Sequence, residues 1–368
     1  MLSKEHLDKL MDMGAPERFV IGSESVRHIT HEHRVAKNLK SVAKLVRQIV
    51  EGNDPLFYMG VNLRREDVVR GTPLGHRLID AATKRLPEIE EYFPSNAYIE
   101  FVELLRSATR ASPRVELIQR GLRDAKGSEA VSLLFALMSL VDRLRQEGRS
   151  AAFTAALDKR RRQCEKNQHS AKDYEAALFR CRSSRLLAIR LDLACGSEEP
   201  GVRGITMTVG TKQAREELNR LVRFVREKYD MVGFMGSFEY GLLTGYHFHM
   251  LFFLDGHKHC RAAHLAKLFG EHWRNVITEG RGRYYNCNTA WYRENGIGII
   301  NHYDVAKRKT LITKVIPYLT KMDFWIRFHG VKKGFFKGVM PTIPLTGGRP
   351  RHTPSGSGLD PWDEVEWL

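Results

Sequence analysis

The pattern of apolar positions divides the chain into two textures. Through the first half, apolar residues recur at three- and four-residue intervals. YIEFVELLRSATR (98–110) and SEAVSLLFALMSLVDRLRQEG (128–148) each read as a helix with one buried face. Pro87, Pro94 and Pro113 punctuate such segments, and 151–180 reads as one more helix or a helical pair. From residue 183 the pattern changes. SSRLLAIRLDLA (183–194) is short, rich in branched apolar residues and bounded by CGSEEPG, which predicts a strand. RGITMTVG (203–210) predicts a second strand or the lead into a helix over 211–229. MVGFMGSFEY (231–240) and YHFHMLFFLDG (246–256) predict a hairpin, because the connection GLLTG is too short for a parallel crossover. Helices over 262–276 and 304–325 follow, separated by a turn-rich stretch (284–303) with a strand near its end. Pro317 predicts a kink or a helix boundary just before Tyr318.

This order predicts an α+β fold: a domain with a central antiparallel sheet and flanking helices, preceded by a mainly α-helical domain. We expect residues 1–182 to form the helical N-terminal region, a DNA-binding or assembly domain, residues 183–335 the α+β domain, and residues 336–368 a loop-rich tail. No internal repeat is visible.

Composition adds exclusions. The chain has 368 residues, 42% hydrophobic and 28% charged, which describes a folded globular protein long enough for two domains. No apolar run is long enough to span a bilayer, and the opening MLSKEHLDKLMDMG lacks the apolar core of a signal peptide. The expectation is therefore a cytoplasmic protein with no membrane partner. Five widely spaced cysteines, none in a CxxC pair, argue for reduced thiols and against a disulfide scaffold or zinc finger. The net charge of +16 predicts attraction to polyanions, and it is shared, +7 before residue 183 and +9 after, so charge does not locate a site. Histidine does better: nine of fifteen, with all five tryptophans, lie after residue 182.

His247 and His249 are one residue apart in an apolar strand, so the strand period puts both imidazoles on one face and Phe248 on the other. If the hairpin turns about the centre of GLLTG, Tyr240 opposes Tyr246 and Glu239 opposes His247, adding a carboxylate to that face. The trio can chelate a divalent metal, suiting Zn²⁺ well and Mg²⁺ or Mn²⁺ tolerably, with positions left for a phosphate. The alternative is a pair of partly buried imidazoles satisfied by the backbone, beside a surface glutamate. Tyr318, in YLTK, is the candidate nucleophile, and Lys321 falls on the same helical face, where it can steady a phosphate. Taken alone, Tyr318 also fits a packing role. Asp192 is a candidate supporting residue, facing either the metal or the sheet edge. Asn286 and Asn288 read as loop-orienting, DNA-contacting or turn-forming residues, and Lys159–Arg162 as a phosphate contact or a solvated helix face. The His31/His33 pair lies in polar surroundings, His257 and His259 follow the strand in a loop, and His264 and His272 fall on a helix; solvated or locally satisfied roles suit them. The segment from Gly233 to Gly236 matches no nucleotide-binding glycine pattern.

At these residues the chain resembles the HUH superfamily of single-strand endonucleases, the rolling-circle replication initiators and their relatives, and within it the inovirus Gp2-like (YagK/YfjJ C-terminal) family of phage, prophage and mobile-element proteins. The matching pieces are SRLLAIRLDLA (184–194), SFEYGLLTGYHFHMLFFLDG (237–256), GEHW (270–273), NCNTAWYRENGIGIINHYD (286–304) and IPYLTKMDFW (316–325), within roughly 183–335. The resemblance implies an HUH endonuclease-like domain in which His247, His249 and Glu239 bind Mg²⁺ or Mn²⁺. Tyr318 would attack a DNA phosphate, leaving a 5′-phosphotyrosyl link and a free 3′-hydroxyl, with Lys321 assisting. It further implies single-stranded DNA or origin hairpin DNA as substrate, a host helicase and polymerase as partners, and self-association. A noncatalytic DNA-binding regulator on the same fold, and a metal-dependent nuclease using activated water, are the competing readings.

Overall fold

A computed structural model describes residues 26–93, 96–112, 125–196, 209–241, 245–328 and 334–341, with Glu116, Ile118 and Leu122. These fall into two compact units, the first taking in the described residues 29–162 and the second residues 26–28 and those from Gln163 on. No helix among the described residues is long and apolar enough to cross a membrane. The expected strand at 203–210 lies largely outside the described residues, as does the tail beyond residue 341.

The first unit is mainly helical. Helix α1 (Val26–Glu51) leads to a hairpin of β1 (Phe57–Val61) and β2 (Asp67–Gly71), followed by α2 (Pro73–Asp80), α3 (Leu86–Tyr92), α4 (Glu100–Arg110) and α5 (Ser128–Gly148). Thr72 starts α2 in the expected way, its hydroxyl oxygen accepting the Gly75 N–H at 3.2 Å with Pro73 in the first turn. The carbonyls at the end of α1 are met by the end of α5, where Arg145 donates to Ile49 O at 3.3 Å and Arg149, the residue just past the helix, to Val50 O at 2.7 Å. The 151–180 pattern forms one unbroken helix, α6 (Ala151–Cys181). Within its basic run Arg160 is buried, pairing with Glu100 at 2.9 Å and donating to Tyr98 O at 2.7 Å. That side chain therefore holds the unit together and is not displayed to phosphates.

The second unit is built on one sheet. Its strands are β3 (Arg185–Ala194), β4 (Met231–Gly241), β5 (Gly245–Asp255), β6 (Arg283–Asn286), β7 (Gly298–Asn301) and β8 (Phe335–Lys337), interspersed with α7 (Thr211–Lys228), α8 (Ala262–His272), α9 (Val305–Thr310) and α10 (Ile316–Trp325). The order across the sheet is β8-β4-β5-β3-β6, and β7 pairs with the same edge of β3 as β6. Every ladder in it is antiparallel. The central strand β5 is buried along nearly its whole length, which explains why its sequence is apolar on both faces.

Alternation along the strands sorts the core into two layers. Leu187, Ile189, Leu191, Leu193, Phe248, Met250 and Phe252 face α7 and α8, meeting Leu221, Val225, Phe269 and Trp273. Leu186, Ala188, Met235, Leu251 and Phe253 face the other way, meeting Tyr174 and Leu178 of α6 and Leu311, Ile316 and Leu319. The sheet thus has helices on both faces. Behind the second layer, Arg308 grips the fully buried Glu175 through two hydrogen bonds of 3.1 Å and donates to His302 O at 2.9 Å.

The expected break before Tyr318 does not occur. Helix runs from Val305 through Trp325, and the irregularity lies earlier, in a wide π turn over Leu311–Val315. Pro317 follows that turn directly. There the hydrogen-bond ladder is already out of its four-residue register, so the missing N–H and the ring are accommodated without ending the helix.

Candidate metal centre

The β4–β5 hairpin has the register the sequence predicts, with Tyr240 opposite Tyr246 and Glu239 opposite His247. Gly245 supplies the positive φ (61°) at the turn, a conformation that favours glycine. Pairing of β5 with β3 then sets Asp192 opposite His249 and Ala194 opposite His247. With Tyr285 opposite Asp192 on β6 and Ser237 opposite His249 on β4, one row across the sheet reads Tyr285, Asp192, His249, Ser237. The adjoining row reads Arg283, Ala194, His247, Glu239.

Both imidazoles are held by Nδ1. That of His249 lies 2.8 Å from Asp192 Oδ1, and that of His247 lies 3.1 Å from the Gly245 carbonyl oxygen. A carbonyl has no proton to give, so His247 Nδ1 carries the hydrogen; the carboxylate favours the same tautomer at His249. Both Nε2 atoms then point at one oxygen, Glu239 Oε2, at 3.5 Å from His247 and 3.6 Å from His249. Ser237 fixes the other carboxylate oxygen by donating to Oε1 at 2.9 Å.

The ligand atoms of Glu239, His247 and His249 lie within 4.8 Å of one another. A cation about 2.1 Å from each would set its ligand atoms about 3.0–3.4 Å apart, so the two imidazole–carboxylate distances of 3.5 and 3.6 Å are already close to a ligated set. Two neutral imidazoles and a carboxylate fit a divalent metal, and Asp192 stands where a supporting carboxylate orients a ligating histidine. Electrostatics agree. Burial alone would raise the Glu239 carboxyl, but a charge on the neighbouring His249 outweighs it and holds Glu239 well below the carboxylate range. Burial likewise disfavours charge on His249, yet Asp192 and Glu239 push its pKa up to about 10. The cluster is therefore an electronegative pocket whose donor set suits a cation.

Tyr318 approaches from α10. Its hydroxyl lies 3.5 Å from His249 Nε2, and the rings meet edge-on with centroids 4.9 Å apart. Lys321 is on the same helix, with its side chain outside the described residues. His31 and His33 lie on α1, where their side chains are likewise undescribed. Of the remaining candidate histidines, His257 lies with Ser184, His259 with Asp230, His272 stacks on Phe224, and His264 is on the surface. Asn286 and Asn288 orient the loop after β6, Asn288 donating to Arg190 O at 2.7 Å and accepting from Arg190 N at 3.2 Å. All five cysteines are free thiols.

One neighbour of the site escaped the sequence reading. Arg190 is buried, its guanidinium carbon 3.9 Å from the centre of the Tyr318 ring and its Nη2 3.6 Å from Asp192 Oδ1. Its signal was present in IRLD, two opposite charges at same-face spacing inside an apolar strand. A buried Glu239–His247–His249 cluster with a tyrosine hydroxyl beside it has the composition of a metal-dependent, nuclease-like catalytic site. Comparison with known protein families, curated proteins and solved structures finds no match to this chain.

Proposed function

We propose that the second unit is a metal-dependent single-strand DNA endonuclease of the HUH type, acting as a replication initiator for a phage, prophage or other mobile element. The observation that supports this most directly is the convergence of His247 Nε2 and His249 Nε2 on Glu239, with the Tyr318 hydroxyl 3.5 Å from His249 Nε2.

In this reading His247, His249 and Glu239 hold Mg²⁺ or Mn²⁺. The bound ion would supply Lewis-acid neutralisation of charge on a phosphodiester. The chain's own residues do the rest. The two carboxylates near the imidazoles outnumber the one guanidinium, which favours a cation; with a divalent ion added the balance reverses and favours an anionic phosphate. Tyr318 Oη forms the bond to phosphorus, the bond from phosphorus to the 3′-oxygen breaks, and that oxygen leaves as a hydroxyl. One phosphodiester replaces another, so the step is reversible and the strand can be rejoined without a nucleotide cofactor. Lys321, one turn further along α10, assists by steadying the phosphate. The net charge of +16 draws single-stranded or hairpin origin DNA to the protein, and the helical region assists in DNA binding, in assembly, or in contact with a host helicase and polymerase.

Incubating the full chain with a randomised single-stranded DNA pool and Mn²⁺, then separating under denaturing conditions, tests the reading. A protein–DNA adduct on the Tyr318 peptide is expected. Cleavage with no adduct would replace tyrosine by activated water, and binding without cleavage would leave a regulator.

A further inference from the structure

Resting on the reading of Tyr318 as nucleophile, we propose that Arg190 is its positioning residue, clamping the phenol ring against the guanidinium so that the hydroxyl is delivered to the metal centre.

The contact between the Tyr318 hydroxyl and His249 cannot do this. At 3.5 Å it is long for a hydrogen bond to nitrogen, and His249 Nε2 is the atom required for the metal, so it is lost when the site is loaded. What persists is the cation over the ring, 3.9 Å from its centre. A planar guanidinium can lie against an aromatic face while an edge meets a carboxylate, and Asp192 Oδ1 is 3.6 Å from Nη2. Asp192 thereby touches both halves of the site, His249 on one side and Arg190 on the other.

The backbone beneath Arg190 is held in an unusual way. β7 pairs with residues 185–188 of β3 and β6 with 191–194, leaving a gap at that edge. Asn288 fills it with a side-chain amide, bonding both the N–H and the C=O of Arg190 as a strand neighbour would. Asn286 in turn accepts from the Asn288 backbone and side chain, at 3.0 Å each, and donates to Ala263 O at 2.8 Å. A chain of two amides thus fixes the strand position from which the cation reaches the tyrosine.

The test uses the full chain with fluorotyrosine incorporated, the Tyr318 resonance being assigned by its loss in Tyr318→Phe. Arg190→Lys keeps the charge but loses the planar stack, and Arg190→Met loses both. For Arg190→Lys we expect the adduct-forming kcat to fall about 10- to 100-fold, with KM for the DNA pool and affinity for Mn²⁺ each within about threefold. The Tyr318 fluorine resonance should move in both variants. Asn288→Ala removes no charged group and covers the case in which Arg190→Met does not fold; it should lower kcat in the same direction, by about fivefold. An unmoved resonance with unchanged kcat in Arg190→Lys would overturn the proposal, as would a rise in KM alone, which would make Arg190 a substrate contact. If the unsubstituted chain forms no adduct while the resonance still moves in Arg190→Met, the positioning role stands and the nuclease reading fails.

Discussion

His249 Nδ1 lies 2.8 Å from Asp192 Oδ1, across the ladder that joins two strands separated by more than fifty residues of sequence. This contact ties the orientation of one imidazole to a residue outside the hairpin that carries it. Asp192→Asn keeps the shape and removes the charge. Its affinity for Mn²⁺ should fall about 10- to 100-fold, the usual cost of losing a carboxylate behind a ligating histidine. Isothermal titration against the unsubstituted chain measures it.

Proton release gives a second check. With no divalent ion added, His249 keeps its proton until pH about 10, compared with ~6.5 for a free imidazole. A metal must displace that proton, so affinity for Mn²⁺ should rise with pH, by up to about tenfold per unit below pH 10. Titration in buffers of different ionisation enthalpy should show a proton leaving at neutral pH. The sign is opposite for the stability of the metal-free chain. A raised histidine pKa stabilises the folded state fully below pH ~6.5, and that contribution disappears as pH climbs through about 10.

Tyr318→Phe should separate chemistry from binding. It removes one long contact and leaves the ring on Arg190, so Mn²⁺ affinity and thermal stability should stay close to those of the unsubstituted chain. Adduct formation should drop by roughly 10⁴-fold or more, the scale on which loss of an enzyme nucleophile is felt. Denaturing electrophoresis with labelled DNA reads both the adduct and any cleavage that bypasses it.

The Arg308–Glu175 pair is a stability prediction independent of function. Glu175→Ala strands a buried guanidinium that now makes two 3.1 Å bonds. Losing one partner of such a pair costs about 3–5 kcal/mol. A clear fall in the melting temperature of the second unit should follow in calorimetry, whereas replacing both residues by apolar ones should cost less.

The parts of the site that were legible in the sequence are the local ones. A strand period of two and a short connection are enough to put Glu239, His247 and His249 on one face, because the hairpin pairs neighbours in the chain. The sequence allows Asp192 to face either way, since the β3–β5 register joins distant segments and no local pattern encodes it. Arg190 was missed for the same reason: its partner Tyr318 arrives on a helix more than a hundred residues later. The sequence leaves Asn288 open between orienting a loop, contacting DNA and forming a turn, because a side chain standing in for a strand leaves no periodic trace. Pro317 misled because proline rules assume a regular α-helix, and the preceding turn is not one.

That wide turn sets how the site responds to chain length. Residues Leu311–Val315 hold one residue more than a regular turn needs, and each helical residue advances a side chain by about 100° around the axis. Deleting a single residue there would let the helix close into regular α form with Tyr318 kept near its present bearing, because the wide turn absorbs the surplus residue; adding one residue to the regular helix between Val315 and Tyr318 would instead swing Tyr318 about 100° away from His249, while the metal ligands on the sheet stayed where they are. A one-codon gain at that point, touching none of the side chains at the metal centre, should therefore part the tyrosine from the histidines while leaving Mn²⁺ affinity unchanged.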